Sequence, residues 1–398
     1  MIDIASILPY IFGAMFQREI NPSETKSFFL FGPRQTGKST FVKSLLTPRD
    51  LYIDLLPQRA FLNYAKTPGR VREEILAHLE RYDDPLCVID EIQKIPSLLD
   101  EVHELIESRG IRFILTGSSA RKLRRGGANL LAGRAYTYRL FPLTFSEIGP
   151  SFDLNRALRV GTLPVLWENP KEEAREFLRS YAETYLKEEV AAEGLVREIG
   201  PFAQFLDIAA ANDGETVNFN NIARECAVSS KTVQQYYQIL EDTFLATRIL
   251  AWNRSNRRRL VSHPRYYFFD TGVTNVLSHT LSDPMDPRTI GRRFEQFVIG
   301  QIGAFIQYRR LDLQLYYWRT NHGAEVDLLV CDGNRITCAL EIKASQHIAM
   351  ETLSGLKSFM DDNPGVPAYI LGKDQKRRKL KNNATIMNWH DFIVENLT

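Results

Sequence analysis

Over the first 150 residues, unbroken apolar runs of strand length alternate with segments whose apolar positions recur at helical spacing. The runs are 27–32 (SFFLFG), 51–56 (LYIDLL), 85–91 (PLCVIDE) and 111–119 (IRFILTGSS), with 135–143 (AYTYRLFPL) a candidate fifth. Between them, 38–46, most of 59–82 and 98–110 have the helical pattern, and Gly110 stops the last. Continuous apolar strands separated by helices predict a parallel sheet buried on both faces.

After residue 150 the pattern changes twice. Residues 151–200 are helical in pattern and rich in mixed charge, and 201–280 hold three helical segments followed by strand-like runs. From about 291 a helix, 291–305 (GRRFEQFVIGQIGAF), precedes strands at 313–320, 324–330 and 336–344. A chain of 398 residues is too long for one ordinary core. The expected organisation is α/β in four segments: 1–150, 151–200, 201–283 and 284–398.

Composition narrows the class. Hydrophobic residues make up 44% and charged residues 25%, the balance of a soluble globular protein. A net charge of +2 does not announce a nucleic-acid partner, so any basic surface must be local. Cys87, Cys226, Cys331 and Cys338 form no CxxC pair and have no histidines nearby. That argues against a zinc site or a disulfide framework and fits a reducing cytoplasm. The apolar run 4–15 is broken by Pro9, preceded by Asp3 and led by no basic residue, so it reads poorly as a signal peptide. No stretch approaches the roughly 18 apolar residues that span a bilayer. The expected location is cytoplasmic, with no membrane partner.

The sharpest motif is GPRQTGKST at 32–40, which satisfies GxxxxGK[ST] between an apolar strand and a helix. The loop runs through Gly32, Pro33, Arg34, Gln35, Thr36, Gly37, Lys38, Ser39 and Thr40. Its two flanking glycines let the backbone bend so that N–H groups ring a phosphate. The helix opening near Lys38 aims its positive end at the same anion. Lys38 then reaches the terminal phosphates and the Ser39 hydroxyl binds Mg²⁺, which makes ATP with Mg²⁺ the expected cofactor pair.

The other half of such a site is CVIDE, 87–91. Asp90 at the strand tip can hold the magnesium through water, and Glu91 can act as general base on the attacking water. Many strands run out into acidic loops, so this ending is weak alone. It gains force from the strand and helix at 51–82, which separate the two motifs as in the AAA-like branch of P-loop ATPases. Ser118 or Ser119, at the tip of the next run, could sense the γ-phosphate, although Thr-Gly-Ser is also an ordinary turn.

The motif GPRQTGKST, with 88–107 (VIDEIQKIPSLLDEVHELIE), 114–126, 131–148, 180–190 and 316–330, resembles one family across most of the chain and in the same order. That family is the prokaryotic AAA-type ATPases with a C-terminal domain long labelled as of unknown function. The resemblance implies an AAA-like P-loop core with a parallel sheet, then a helical and winged-helix region, then an α/β restriction-endonuclease-like domain. GTLP at 161–164 departs from the family's Gly-Gly pattern, which leaves a lid contact to nucleotide open. AAA-type enzymes place an arginine finger just before the fifth strand. Arg134 stands there, and it would act on a neighbour's ATP in a homo-oligomer. Arg121, Arg124 and Arg125 compete for the role, and a solvated or DNA-facing arginine is the plain alternative.

Two further segments point toward nucleic acid. Residues 219–240 (FNNIARECAVSSKTVQQYYQIL) read as helix, turn, helix. Ser229 or Ser230 caps the second helix, and Lys231, Thr232, Gln234 and Gln235 face outward. No acidic residue lies between Asp242 and Asp270, whereas Arg248, Arg254, Arg257, Arg258, Arg259 and Arg265 do, a suitable phosphate clamp. Packing on a protein partner is the alternative.

In the last segment, Asp327 and the EIK of 341–343 give a D…ExK pattern. It resembles the PD-(D/E)xK nuclease core, and Glu295 resembles the extra acidic residue such nucleases place beside the metal. Asp327 and Glu341 on adjacent strands could share Mg²⁺ or Mn²⁺, with Lys343 on the same face to orient water. Glu325 is a conceivable auxiliary ligand. The leading expectation is an Mg²⁺-dependent ATPase coupled to nucleic-acid binding, DNA first, with metal-dependent nuclease chemistry at Glu295, Asp327, Glu341 and Lys343. The alternative is a nucleotide-dependent switch or scaffold that binds partners without cutting.

Overall fold

The computed structural model describes residues 16–121, 123, 131, 133–168, 171–186, 196, 198–253, 263–281, 284–345, 353–373 and 376–397. The apolar run 4–15, Arg124, Arg125, Arg254, Arg257, Arg258 and Arg259 lie outside the described residues. Two compact units emerge. Unit 1 is Met1–Leu143 with Leu163–Val165 and Ile239–Leu245; unit 2 is Thr144–Thr162, Leu166–Gln238 and Ala246–Thr398. Among the described residues, no helix is long and apolar enough to cross a membrane.

Unit 1 is built as the apolar runs require. Strands β1 (Ser27–Phe31), β2 (Leu51–Asp54), β3 (Leu86–Asp90), β4 (Arg112–Gly117) and β5 (Ala135–Arg139) form one sheet in the order β2-β3-β4-β1-β5. Every pairing is parallel. Helix α1 (Lys38–Ser44) follows β1, and α4 (Leu98–Arg109) joins β3 to β4. The segment expected as one helix at 59–82 is two, α2 (Gln58–Lys66) and α3 (Gly69–Leu79), parted at Thr67–Pro68, where proline withholds a backbone donor. Phe29, Phe31, Ile89, Phe113 and Leu115 are buried in one core with Val102 and Leu105 of α4. Burying these central strands on both faces explains why their sequences carry no alternation.

Unit 2 opens with the short helix Phe145–Ile148, and its later helices include α5 (Leu154–Val160), α6 (Ile199–Ala211) and α7 (Phe219–Glu225). Helix α8 (Ser230–Asp242) comes next, its N-terminus capped by Ser229, whose Oγ accepts from Thr232 N–H at 3.0 Å. Val233, Tyr236 and Tyr237 are buried, while Lys231, Gln234 and Gln235 are exposed. Then come β6 (Ala246–Ala251), β7 (Arg265–Phe268), α9 (Thr271–Leu277) and α10 (Pro287–Tyr308). The remaining elements are β8 (Leu313–Arg319), β9 (Glu325–Asp332), β10 (Arg335–Ile342), α11 (Ser354–Asp362), β11 (Ala368–Gly372), β12 (Arg378–Lys379), β13 (Thr385–Asn388) and α12 (Trp389–Asn396).

All these strands form a mixed eight-stranded sheet ordered β12-β13-β11-β10-β9-β8-β6-β7. Its two faces carry separate cores: Phe294, Ile302 and Phe305 of α10 pack with Leu328, Leu340 and Trp389 on one, and Leu356 and Phe359 of α11 pack with Leu329, Ala339 and Ile370 on the other. The sheet also joins segments that the sequence pattern keeps apart. Strand β6 pairs in parallel with β8 at Leu250–Tyr316 and Ala251–Tyr317, so one sheet runs across the expected boundary at 283/284.

Candidate nucleotide site and a second carboxylate site

The loop after β1 turns where its sequence allows. Gly37 and Gln35 take left-handed backbone angles, φ 85° and 64°. Gly32 faces the exit of β5 so closely that a Cβ there would lie 2.3 Å from the Leu140 carbonyl oxygen. Arg18 ties this loop down: its Nη1 donates to Thr36 O and its Nη2 to Phe141 O, each at 2.7 Å. Inside the loop, Thr36 Oγ1 donates to Pro33 O at 2.8 Å. The buried Lys38 ammonium donates to Gly32 O at 2.8 Å and Pro33 O at 2.9 Å. Its charge therefore lies within the ring of the loop, as a phosphate-binding lysine requires.

Asp90 and Glu91 follow at the tip of the neighbouring strand but one. Asp90 is 3% exposed. One of its carboxylate oxygens accepts from Thr116 Oγ1 and the other from the Tyr52 hydroxyl. Burial raises the Tyr52 phenol and the Asp90 charge raises it further, so Tyr52 stays protonated and donates. Glu91 has φ 61° and donates its backbone N–H to Thr116 Oγ1 at 3.1 Å. Its carboxylate accepts from Gln93 Nε2, which also donates to Ser118 Oγ at 3.2 Å.

The structure thus brings Ser118 to Glu91 through Gln93. Ser119 is buried and accepts from Arg121 N–H instead. Tyr52, Gln93, Thr116 and Arg18 were not singled out from the sequence. A polar residue at the end of an apolar strand, as Thr116 is, was the one local signal for them. Arg134 precedes β5 and pairs with Glu107 on α4, both partly exposed. Arg121 is held by Asp242 at 2.9 Å.

The second site lies in unit 2. Strand β9 carries one residue more than β8 across it: Tyr316 pairs with Leu329, but Trp318 pairs with Val326. The bulge falls on Asp327 and Leu328, and bulges of this kind re-aim side chains. From Val326 to Cys331 the strand is buried without a break. Asp327 Oδ2 accepts from Ile342 N–H at 2.8 Å. Lys343 reaches Glu341 Oε1 at 2.6 Å and Asp327 Oδ2 at 3.8 Å. Burial alone would lower the Lys343 ammonium, but Asp327 and Glu341 outweigh it and raise the group.

Glu295 enters from α10, accepting from the Tyr267 hydroxyl at 2.7 Å. Burial first, and then the Asp327 charge, push both Glu295 and Glu341 well above the usual carboxylate range. Glu341 Oε2 is buried with no hydrogen-bond partner among the described residues.

A residue expected elsewhere completes the site. Arg265, read as part of an outward phosphate clamp, is 4% exposed. It lies beneath Glu325 at 2.7 Å, 4.0 Å from Glu295, and over the Tyr317 ring at 4.5 Å. Membership of β7 in the large sheet carries it inward. A pocket of about 380 Å³ opens here, lined by Arg265, Tyr267, Glu295, Glu325 and Asp327 among others. Among the described residues, no three His, Cys, Asp or Glu side chains are grouped so as to hold a metal ion. Lys343 and Arg265 provide the charge balance within the site.

Comparison with known proteins agrees with the N-terminal geometry. Residues 24–149 match the AAA domain, residues 151–283 a domain of unknown function (DUF8612), and residues 290–392 another domain of unknown function (DUF4143). The chain carries an AAA domain. Its C-terminal part carries the DUF4143 domain. Uncharacterized proteins of Mycobacterium tuberculosis and Mycobacterium bovis are each 28% identical over 309 residues, 76% of this chain. The chain spans 66% of the length of those relatives. An uncharacterized protein of Haemophilus influenzae is 24% identical over 204 residues, 47% of this chain and 50% of its own.

Proposed function

We propose that the chain is an Mg²⁺-dependent ATPase that couples hydrolysis of ATP to ADP and phosphate to nucleic-acid binding by unit 2, double-stranded DNA being the first candidate. One observation carries the ATPase reading: within a single AAA domain, a buried lysine at the loop after β1 and two consecutive carboxylates at the end of β3 are held by parallel strands of one sheet. Lys38 and the loop N–H groups would bind the phosphates, and Ser39 and Asp90 would hold the magnesium. When bound, that ion supplies charge neutralisation for the phosphates. Glu91 takes the proton of the attacking water. ATPase assay of the parent and of Lys38→Ala tests this reading: turnover should be present in the parent and lost in the variant.

The nucleic-acid part rests on the helix–turn–helix of α7 and α8, with Lys231, Gln234 and Gln235 exposed on α8 and the β6–β7 hairpin behind it, the order of elements in a winged helix. Chemistry that cuts DNA would use Asp327, Glu341, Lys343 and Glu295. A second reading, the switch or scaffold, is favoured by the ion pairs of Lys343 with Glu341 and of Arg265 with Glu325, which set the protein's own cations against the carboxylates. Plasmid incubated with Mg²⁺ or Mn²⁺ separates the two. Cleavage lost in Asp327→Ala and Glu341→Ala supports the first, and no cleavage with ATPase intact supports the second.

A further inference from the structure

The turn that follows Glu91 holds a residue that neither nucleotide motif accounts for. Gln93, in the 3₁₀ turn Ile92–Lys94, is 4% exposed. Its Nε2 donates to a Glu91 carboxylate oxygen and to Ser118 Oγ, the latter at 3.2 Å. Residue 117 is glycine, and a Cβ there would lie 2.6 Å from Gln93 Oε1 in this orientation of the amide. That oxygen is buried and accepts no hydrogen bond from the described residues. Next to it, Glu91 sits in the left-handed region at φ 61°, which a non-glycine residue enters only at a cost. An unpaired buried acceptor and a strained backbone at one spot mark an arrangement that another hydrogen-bonding pattern could rival.

We propose that Gln93 is the positioning residue that ties the Glu91 carboxylate to the tip of β4 at Ser118, so that hydrolysis depends on how Ser118 is engaged. This inference rests on the ATPase reading. Shared between the carboxylate and the hydroxyl, the amide fixes one orientation of Glu91. Anchored on Ser118, the amide keeps the carboxylate aimed at the water that attacks the γ-phosphate. Gln93 touches no reacting atom; it acts through Glu91.

Steady-state ATPase and ATPγS binding of the full chain test the proposal. Gln93→Met keeps the volume and removes the donor, and Gln93→Asn keeps an amide but shortens its reach. Both should lower kcat at least about 10-fold while KM and ATPγS affinity stay within about 3-fold. Ser118→Ala should lower kcat in the parent but add nothing in the Gln93→Met background, because a broken link cannot be broken again. Parental kcat in both Gln93 variants, or losses that multiply in the double variant, would overturn the role of Gln93. If the parent hydrolyses ATP and Lys38→Ala does not, that result refutes the Gln93 link alone. If the parent shows no turnover, the ATPase reading fails and this inference falls with it.

Discussion

Glu91 is asked to be both strained and exact in its aim. Thr116 holds its backbone and Gln93 its carboxylate, while the same Thr116 hydroxyl donates to Asp90. Replacing Glu91 by glutamine should preserve ATP binding and lower kcat by about 10²- to 10⁴-fold, the span of a lost general base. A binding isotherm beside a turnover assay distinguishes that result from simple misfolding.

A second residue-level expectation concerns Asp213 in unit 2. Its carboxyl is pushed up to about 7 by burial, against the pull of Arg293, whose guanidinium stands 3.6 Å away. The folded chain therefore binds a proton there that the unfolded chain has released above about pH 4. Stability from this group is lost as pH rises from about 4 to about 7. Asp213→Asn cannot titrate, so its melting temperature should improve relative to the parent across that window. A gap between parent and variant that stays constant with pH would contradict the assignment.

Among the elements, the loop between β1 and α1 was legible because its requirements are local. Two glycines, a lysine and a hydroxyl lie within nine residues, and strand and helix follow from flanking pattern alone. Gly32→Ala should nevertheless cost about 2 kcal/mol or more, because the added carbon meets the Leu140 backbone rather than a movable side chain. Denaturant unfolding of the two proteins checks this.

The partners of that loop were less visible. Tyr52 and Thr116 reach Asp90 from β2 and β4, and only the parallel register of those strands with β3 brings them together, whereas Gln93 reaches Glu91 from two residues along the chain. The C-terminal site shows the same division. Asp327, Glu341 and Lys343 could be read from strand spacing, and Glu295 from resemblance. Arg265 and Tyr267 could not, since they arrive on β7, through a β6–β8 pairing between residues 66 positions apart, Leu250 and Tyr316. The bulge at Asp327 was hidden too, because nothing in EVDLLV marks where an extra residue is taken up.

For the chain as an assembly of units, that shared sheet has a direct consequence. A fragment beginning at residue 284 would leave the β8 edge unpaired and remove the Tyr267 donor from Glu295. It should aggregate or melt without cooperativity, whereas the parent should melt with it. If unit 2 binds DNA through phosphates, affinity should fall steeply with added salt, and a salt-independent Kd would exclude that mode. If Arg134 serves a neighbour's ATP, specific ATPase activity should rise with protein concentration, and Arg134→Ala should lose that rise while binding ATP normally.

The most direct test is ATP turnover at saturating Mg²⁺-ATP by the parent and by Lys38→Ala, with nucleotide binding measured on the same preparations. Steady release of phosphate by the parent is the expected result, with both binding and turnover collapsing in the variant. Equal binding and equal turnover in the two proteins would contradict it.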